Sequence, residues 1–168
     1  RGEFVEKFAA RRLTRVFGSG HVHRGVKVVR NRKEGSGEID VLVVFGDRLV
    51  IVQAKSKKLT VEARKGNDGQ IRKDFKQAIQ ASYDQALACA NKILDGYRLE
   101  DGDGGAIVLP HPPKEIYLVC LVSDHYPSLA FQAREFLEYK KTSVIKSPFV
   151  MDLFLLDALT EMLVAPLR

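Results

Sequence analysis

Apolar and polar positions along this chain repeat with two different periods, and the switches between them mark its elements. Residues 3–17 carry Val5, Phe8, Ala9, Leu13 and Val16 at helical spacing and predict an amphipathic helix, ended by Gly18-Ser19-Gly20. His21 to Arg30 reads as a strand, and Asn31 to Gly37 as a Gly/Ser/charged loop. Val41 to Phe45 and Leu49 to Val52 are β-branched runs joined at Gly46-Asp47-Arg48, which predicts a hairpin. Lys57 to Gly69 reads as a mobile basic segment. Arg72 to Leu94 predicts a long helix with Phe75, Ala78, Ile79, Ser82, Ala86, Ala90 and Ile93 facing inward. Asp95 to Pro113 is rich in turn residues and predicts a long loop. Ile116 to Val122 is continuously apolar, as expected of a central strand buried on both faces. A helix over Ser128 to Tyr139, a short strand over Phe149 to Met151 and an apolar helix over Leu153 to Leu163 follow. Strands alternating with helices predict an α/β domain, a mixed sheet flanked by helices on both faces.

The hairpin fixes a register. With Gly46 and Asp47 as its loop, Phe45 faces Arg48, Asp40 falls opposite Gln53, and Glu38 falls opposite Lys55. Side chains on a strand alternate faces. Glu38, Asp40, Gln53 and Lys55 are therefore expected on one face at one end of a hairpin that is apolar elsewhere. Such a convergence of polar groups is the pattern of a built site. Glu38 also reads as a simple cross-strand ion-pair partner of Lys55, worth roughly 0.2–1 kcal/mol.

Composition narrows the class. The 168 residues, with 45% apolar and 29% charged, suit one soluble globular domain spanning residues 1–168. No apolar run reaches the roughly 18–20 residues of a membrane span, and no signal peptide is recognisable. The start at Arg1 without Met reads as a piece cut from a larger protein. Cys89 and Cys120 lie within apolar segments, as buried free thiols of a reducing compartment would, which points to the cytoplasm. Charge is uneven: residues 1–100 carry a net +9 and residues 101–168 a net −3. The polar cluster therefore sits in the basic half. A basic surface favours polyanions through counterion release, although a solvated charged face has the same composition.

The cluster suits one chemistry. Mg²⁺ is held by one or two carboxylates and completes its shell with water and substrate phosphate. Asp40 offers a carboxylate, Gln53 a side-chain carbonyl and Ala54 a backbone carbonyl beside it. Lys55 is no ligand when protonated, but it can balance charge at a scissile phosphate. Glu6, at the border of the first helix's apolar stripe, is a further candidate ligand. It reads equally as a first-turn acid complementing the helix dipole. The set fits phosphodiester hydrolysis assisted by Mg²⁺ or Mn²⁺.

Gly37-Glu38-Ile39-Asp40, one hairpin and then Gln53-Ala54-Lys55 resembles the PD-(D/E)XK nuclease superfamily, in its Mrr-like and nuclease-related branches with Gln in place of the motif Glu. The resemblance spans roughly residues 2–94. It implies a restriction-endonuclease-like fold and a divalent-metal-dependent endonuclease acting on DNA, with RNA as a second possible substrate. It also implies Asp40 as the metal-binding acid, Gln53 at the usual Glu position, Lys55 as the catalytic lysine and Glu6 as the helix acid. Losing the Glu removes one negative charge from the metal site. A catalytically inactive domain that binds nucleic acid or a protein partner is the alternative reading.

The basic residues that follow the hairpin, Lys57, Lys58, Arg64, Lys65, Arg72, Lys73 and Lys76, are candidate phosphate contacts. Gln80 beside Tyr83 could approach a substrate or simply be exposed. Asp152 reads as a helix-start acid. Expected protein partners are a second copy of the chain or other domains of a longer one.

Overall fold

The computed structural model describes residues 2–30, 37–55, 60, 68–123 and 135–165. Helix α1 spans Gly2–Phe17 and leads through a tight turn at Ser19–His21 into β1, Val22–Val29. The hairpin follows as β2, Gly37–Phe45, and β3, Arg48–Lys55, turning at Gly46 with φ +62°. Next come α2, Asp68–Phe75, a π-helical turn over Lys76–Gln80, and α3, Ala81–Leu94. Short strands β4, Arg98–Glu100, and β5, Ala106–Ile107, precede β6, Glu115–Val122, β7, Phe149–Asp152, and α4, Leu153–Val164.

One seven-stranded sheet results, in the order β5-β4-β1-β2-β3-β6-β7. Its β1–β2 and β2–β3 pairs are antiparallel, and β6 runs parallel to both β3 and β7. The α3 side buries Ile39, Leu42, Ile51, Ile79, Leu118 and Cys120. The α1 side buries Val5, Ala9, Val41, Val52, Leu121 and Leu156. Helices cover both faces, as the alternation of strands and helices predicts. The inward face expected for residues 72–94 is buried throughout. Asp152 accepts from Leu155 N at 2.8 Å and caps α4, while Arg12 on α1 pairs with Asp157 and Glu161 of α4.

Three expectations change. The stretch expected as a loop over Asp95 to Pro113 contains β4 and β5, which extend the sheet beyond β1 through Val28–Leu99 pairing. Asp101 Oδ1 holds the turn between them by accepting from Asp103 N at 3.0 Å and Gly105 N at 2.7 Å. Such short edge strands carry no periodicity of their own; pairing with β1 makes them. The helix expected over Ser128 to Tyr139 is helical at Glu135 and Phe136 and non-helical from Leu137 on, and its first part lies outside the described residues. There Gln80 bonds the Glu138 backbone in both directions at 2.9 and 3.0 Å. Tyr83 Oη likewise receives Lys140 N at 2.8 Å, so both side chains fasten an extended segment to the helix.

The third change bears on the site. Ile39 and Leu42 both pack in the α3-side core, which strict alternation along β2 forbids, while Val41 and Val43 pack on the α1 side. The break falls at Asp40. Opposite it in β1 is Gly25, lying between the pairs Arg24–Val41 and Val26–Ile39, with φ +61°. That left-handed conformation is open to glycine at no steric cost. Both strands change faces together there, so Glu38 and Gln53 do not present their side chains to one face as the hairpin register alone predicts.

Gly37 opens β2 against α3, where an added Cβ would lie 2.5 Å from Cys89 Sγ. Gly37→Ala is expected to destabilise the fold by about 1–3 kcal/mol through overpacking. Adding Cys89→Ala should recover most of that loss. Urea unfolding midpoints of the two variants check this, and equal midpoints for Gly37→Ala and wild type would count against the close packing.

Candidate metal and phosphodiester site

The hairpin has the predicted register, with pairs running from Phe45–Arg48 to Val41–Val52. At its open end, side chains take over from the ladder. Asp40 Oδ2 accepts the Ala54 backbone N–H at 2.6 Å. Gln53 Nε2 crosses in the other direction and donates to Glu38 O at 2.7 Å. The same carbonyl accepts Gln85 Nε2 at 3.2 Å and lies 3.7 Å from Cys89 Sγ. Ser82 Oγ donates to Gln53 O at 3.1 Å, tying α3 to β3. The face change at Asp40 therefore opens β2 from β3, and a carboxylate and an amide bridge the opening.

Gln53 is 0% exposed, and its Oε1 is buried with no hydrogen-bond partner. A buried acceptor left unmatched costs roughly 1–3 kcal/mol. Its amide is oriented by the bond to Glu38 O, which leaves the oxygen as the free end. An oxygen donor in that state suits a hard cation.

Burial raises the pKa of Asp40 above the usual carboxylate range, and the negative charges of Glu6 and Glu38 push it further. The Ala54 N–H and the Lys55 ammonium oppose the shift without cancelling it. Glu6, from α1, thus reaches the electrostatic neighbourhood of Asp40. Lys55 Nζ donates to Gln85 Oε1 at 3.0 Å. The cross-strand Glu38–Lys55 ion pair is not formed: the Glu38 side chain is exposed, and its backbone carbonyl is the group that works. Alternation predicts a shared face for that pair, and the break at Asp40 removes it.

Among the described residues, no three His, Cys, Asp or Glu side chains gather into a metal-binding group. A cation here would have to draw on Asp40, the Gln53 amide oxygen and the backbone as well. The unmatched Gln53 Oε1 and the partly buried, repelled Asp40 carboxylate, both at the end of the hairpin where the β2–β3 ladder stops, fit that donor set. Of the basic candidates, Arg72, Lys73 and Lys76 are exposed along α2 and the π turn. Arg72 stacks over the Phe136 ring at 4.5 Å and, with Lys76, lines a cleft of about 310 Å³. Lys57, Lys58, Arg64 and Lys65 lie outside the described residues. Buried Asp74 accepts the Thr60 N–H and hydroxyl at 2.8 Å each, which fixes the position of Thr60 against α2.

The sequence model of the nuclease-related domain (NERD) family matches residues 1–116, more than two thirds of the chain. The chain belongs to the nuclease-related domain family. That family is part of the restriction-endonuclease-like PD-(D/E)XK superfamily, in agreement with the resemblance carried by Asp40, Gln53 and Lys55. A crystal structure of protein VC1899 from Vibrio cholerae is similar at 13% identity and a TM-score of 0.43, over 97% of this chain and 33% of that one. The chain thus spans about a third of that protein's length. No curated protein matches. Among the described residues of this nuclease-related domain, no helix is long and apolar enough to cross a membrane.

Gln85 is the residue that sequence reasoning missed. It lies between Ser82 and Cys89, both buried on the sheet-facing side of α3, and that spacing was the available signal.

Two measurements follow. Because its pKa is raised in the fold, ionised Asp40 opposes stability above the unfolded-state pKa, and the penalty vanishes once the carboxyl is protonated. In chelator at neutral pH, Asp40→Asn is expected to raise Tm. The gain should shrink as pH falls through the acidic range; a gain independent of pH would contradict the assigned burial. Gln53→Glu replaces a donor to Glu38 O by a second buried acceptor. It should lower metal-free stability by about 1–3 kcal/mol, even though the added charge would tighten a cation. An unfolding midpoint equal to wild type in chelator would show that the Gln53–Glu38 bond carries no weight.

Proposed function

We propose that this nuclease-related domain hydrolyses DNA phosphodiester bonds as a divalent-metal-dependent endonuclease. The observation that carries the reading is the buried, unmatched Gln53 Oε1 at the open end of the hairpin, where the Asp40 carboxylate also bridges β2 to β3. Asp40, Gln53 Oε1, the Ala54 carbonyl and, from α1, Glu6 would hold the ion. Mg²⁺ or Mn²⁺ bound there supplies Lewis-acid polarisation of a phosphoryl oxygen and a more acidic water. Asp40 provides the charge, and its bond to Ala54 N–H keeps one oxygen directed at β3. Gln53 orients by donating to Glu38 O and offers only its oxygen. Lys55 stands ready to balance the charge that grows on the phosphoryl oxygens as the bond breaks. A nuclease-related domain implies nucleic acid as the class of substrate. Arg72, Lys73 and Lys76, with Lys57, Lys58, Arg64 and Lys65 by sequence position, would neutralise backbone phosphates and supply an affinity that falls with salt.

The rival reading is a module that binds nucleic acid or a partner without cutting it. It is favoured by Asp40 being the one strand carboxylate assigned to the ion, since Gln53 adds no charge to hold a cation. Nicking of supercoiled plasmid separates the two. Wild type is expected to nick with Mg²⁺ or Mn²⁺ and to stop with chelator. Asp40→Ala should abolish nicking while retaining DNA affinity. Lys55→Ala should lower the rate about 10²–10³-fold, the scale for removing one charge-stabilising group, with little change in affinity. A wild type no more active than Asp40→Ala, on double- and single-stranded substrates alike, would replace the enzyme reading with the binding one.

A further inference from the structure

The Glu38 carbonyl is shared by two carboxamides. Gln53 Nε2 approaches it at 2.7 Å and Gln85 Nε2 at 3.2 Å. Each amide is thereby turned so that its oxygen faces away from that carbonyl. The Gln53 oxygen is left unmatched, and the Gln85 oxygen accepts Lys55 Nζ at 3.0 Å. Gln85 thus connects the lysine of β3 to the backbone of β2 through α3. Its donor end fixes its acceptor end, because a flipped amide would set Oε1 against the Glu38 oxygen and Nε2 against the ammonium.

We infer that Gln85 is the positioning residue for Lys55, holding the ammonium at the open end of the hairpin through an amide anchored on the Glu38 carbonyl. This rests on the reading of Lys55 as the charge-balancing group of a phosphodiester site. A flexible lysine side chain otherwise loses rotamer freedom when it is fixed, and a preformed acceptor removes that loss before substrate arrives. The anchor also makes the residue type specific. Gln85→Met keeps the length and removes both bonds. Gln85→Glu keeps the acceptor for Lys55 but sets a carboxylate oxygen against the Glu38 carbonyl. Gln85 touches neither the scissile group nor the ion, so its substitution should leave ion and DNA binding in place.

The test uses the whole chain in two parallel measurements. In plasmid nicking with Mn²⁺, Gln85→Met is expected to lower kcat about 10-fold or more with KM within about 2-fold of wild type. Gln85→Glu should recover part of that loss, because the acceptor is restored. In ¹H–¹⁵N spectra of the side-chain ammonium groups, the Lys55 signal should be protected from solvent exchange in wild type, lost in Gln85→Met and retained in Gln85→Glu. A fold defect would lower all variants together and would show in Tm; it would not produce recovery by Gln85→Glu. Unchanged kcat and an unchanged Lys55 signal in Gln85→Met would overturn the inference. An inactive wild type whose Lys55 signal still depends on Gln85 would overturn the nuclease reading and leave the positioning intact.

Discussion

The pairing of β2 with β3 ends where Asp40 meets Ala54, and the candidate site depends on that ending. A ladder that continued would consume the Ala54 N–H and Glu38 carbonyl within the sheet and leave no room for chemistry. Instead the Asp40 carboxylate takes the N–H at 2.6 Å, and the Gln53 amide takes the carbonyl at 2.7 Å. Backbone groups deprived of a strand partner must find another. Here the partners are side chains, the Asp40 carboxylate and the Gln53 amide. Gly25 makes the arrangement possible from the neighbouring strand, because its φ of +61° lets β1 change faces alongside β2.

Electrostatics push the same way. Asp40 is desolvated and lies near the charges of Glu6 and Glu38, and one lysine and one backbone N–H do not offset this. Such a carboxylate is poorly stabilised by the protein alone. A cation would relieve the repulsion among the acids and match the orphaned Gln53 oxygen in one step. Gln53 is therefore more than a weakened Glu: its nitrogen carries a bond that a carboxylate could not make. The missing negative charge at this position and the structural use of the amide are two sides of one choice.

Much of this was legible in the sequence. The β-branched runs around Gly46-Asp47 fixed the hairpin and its register, because period-two patterning and turn chemistry are local. The apolar run ending at Val122 marked the central strand for the same reason. That register also leads Asp40 to the end of β3, where its carboxylate takes the Ala54 N–H. What was not legible depends on distant partners. The face change needs Gly25 and Asp40 to meet across two strands, and no local pattern reports that. It turned the Glu38 side chain away and brought its carbonyl into use. β4 and β5 are too short to show a period and exist because β1 and Leu99 pair. Gln85 looks like any polar residue on a helix until β3 and β2 are placed beneath it.

The central claim is that the opening between β2 and β3 is a cation site built on Asp40 and the Gln53 oxygen. Mn²⁺ added to ¹⁵N-labelled protein tests it most directly, since the ion broadens the signals of nearby amide groups whether or not the domain cuts DNA. The account predicts selective loss, saturable and reversed by excess Mg²⁺, of the Gln53 side-chain amide and the Asp40 and Ala54 backbone signals, and its absence in Asp40→Ala. Broadening confined to other acidic surfaces, with the Gln53 and Ala54 signals unchanged, would contradict it.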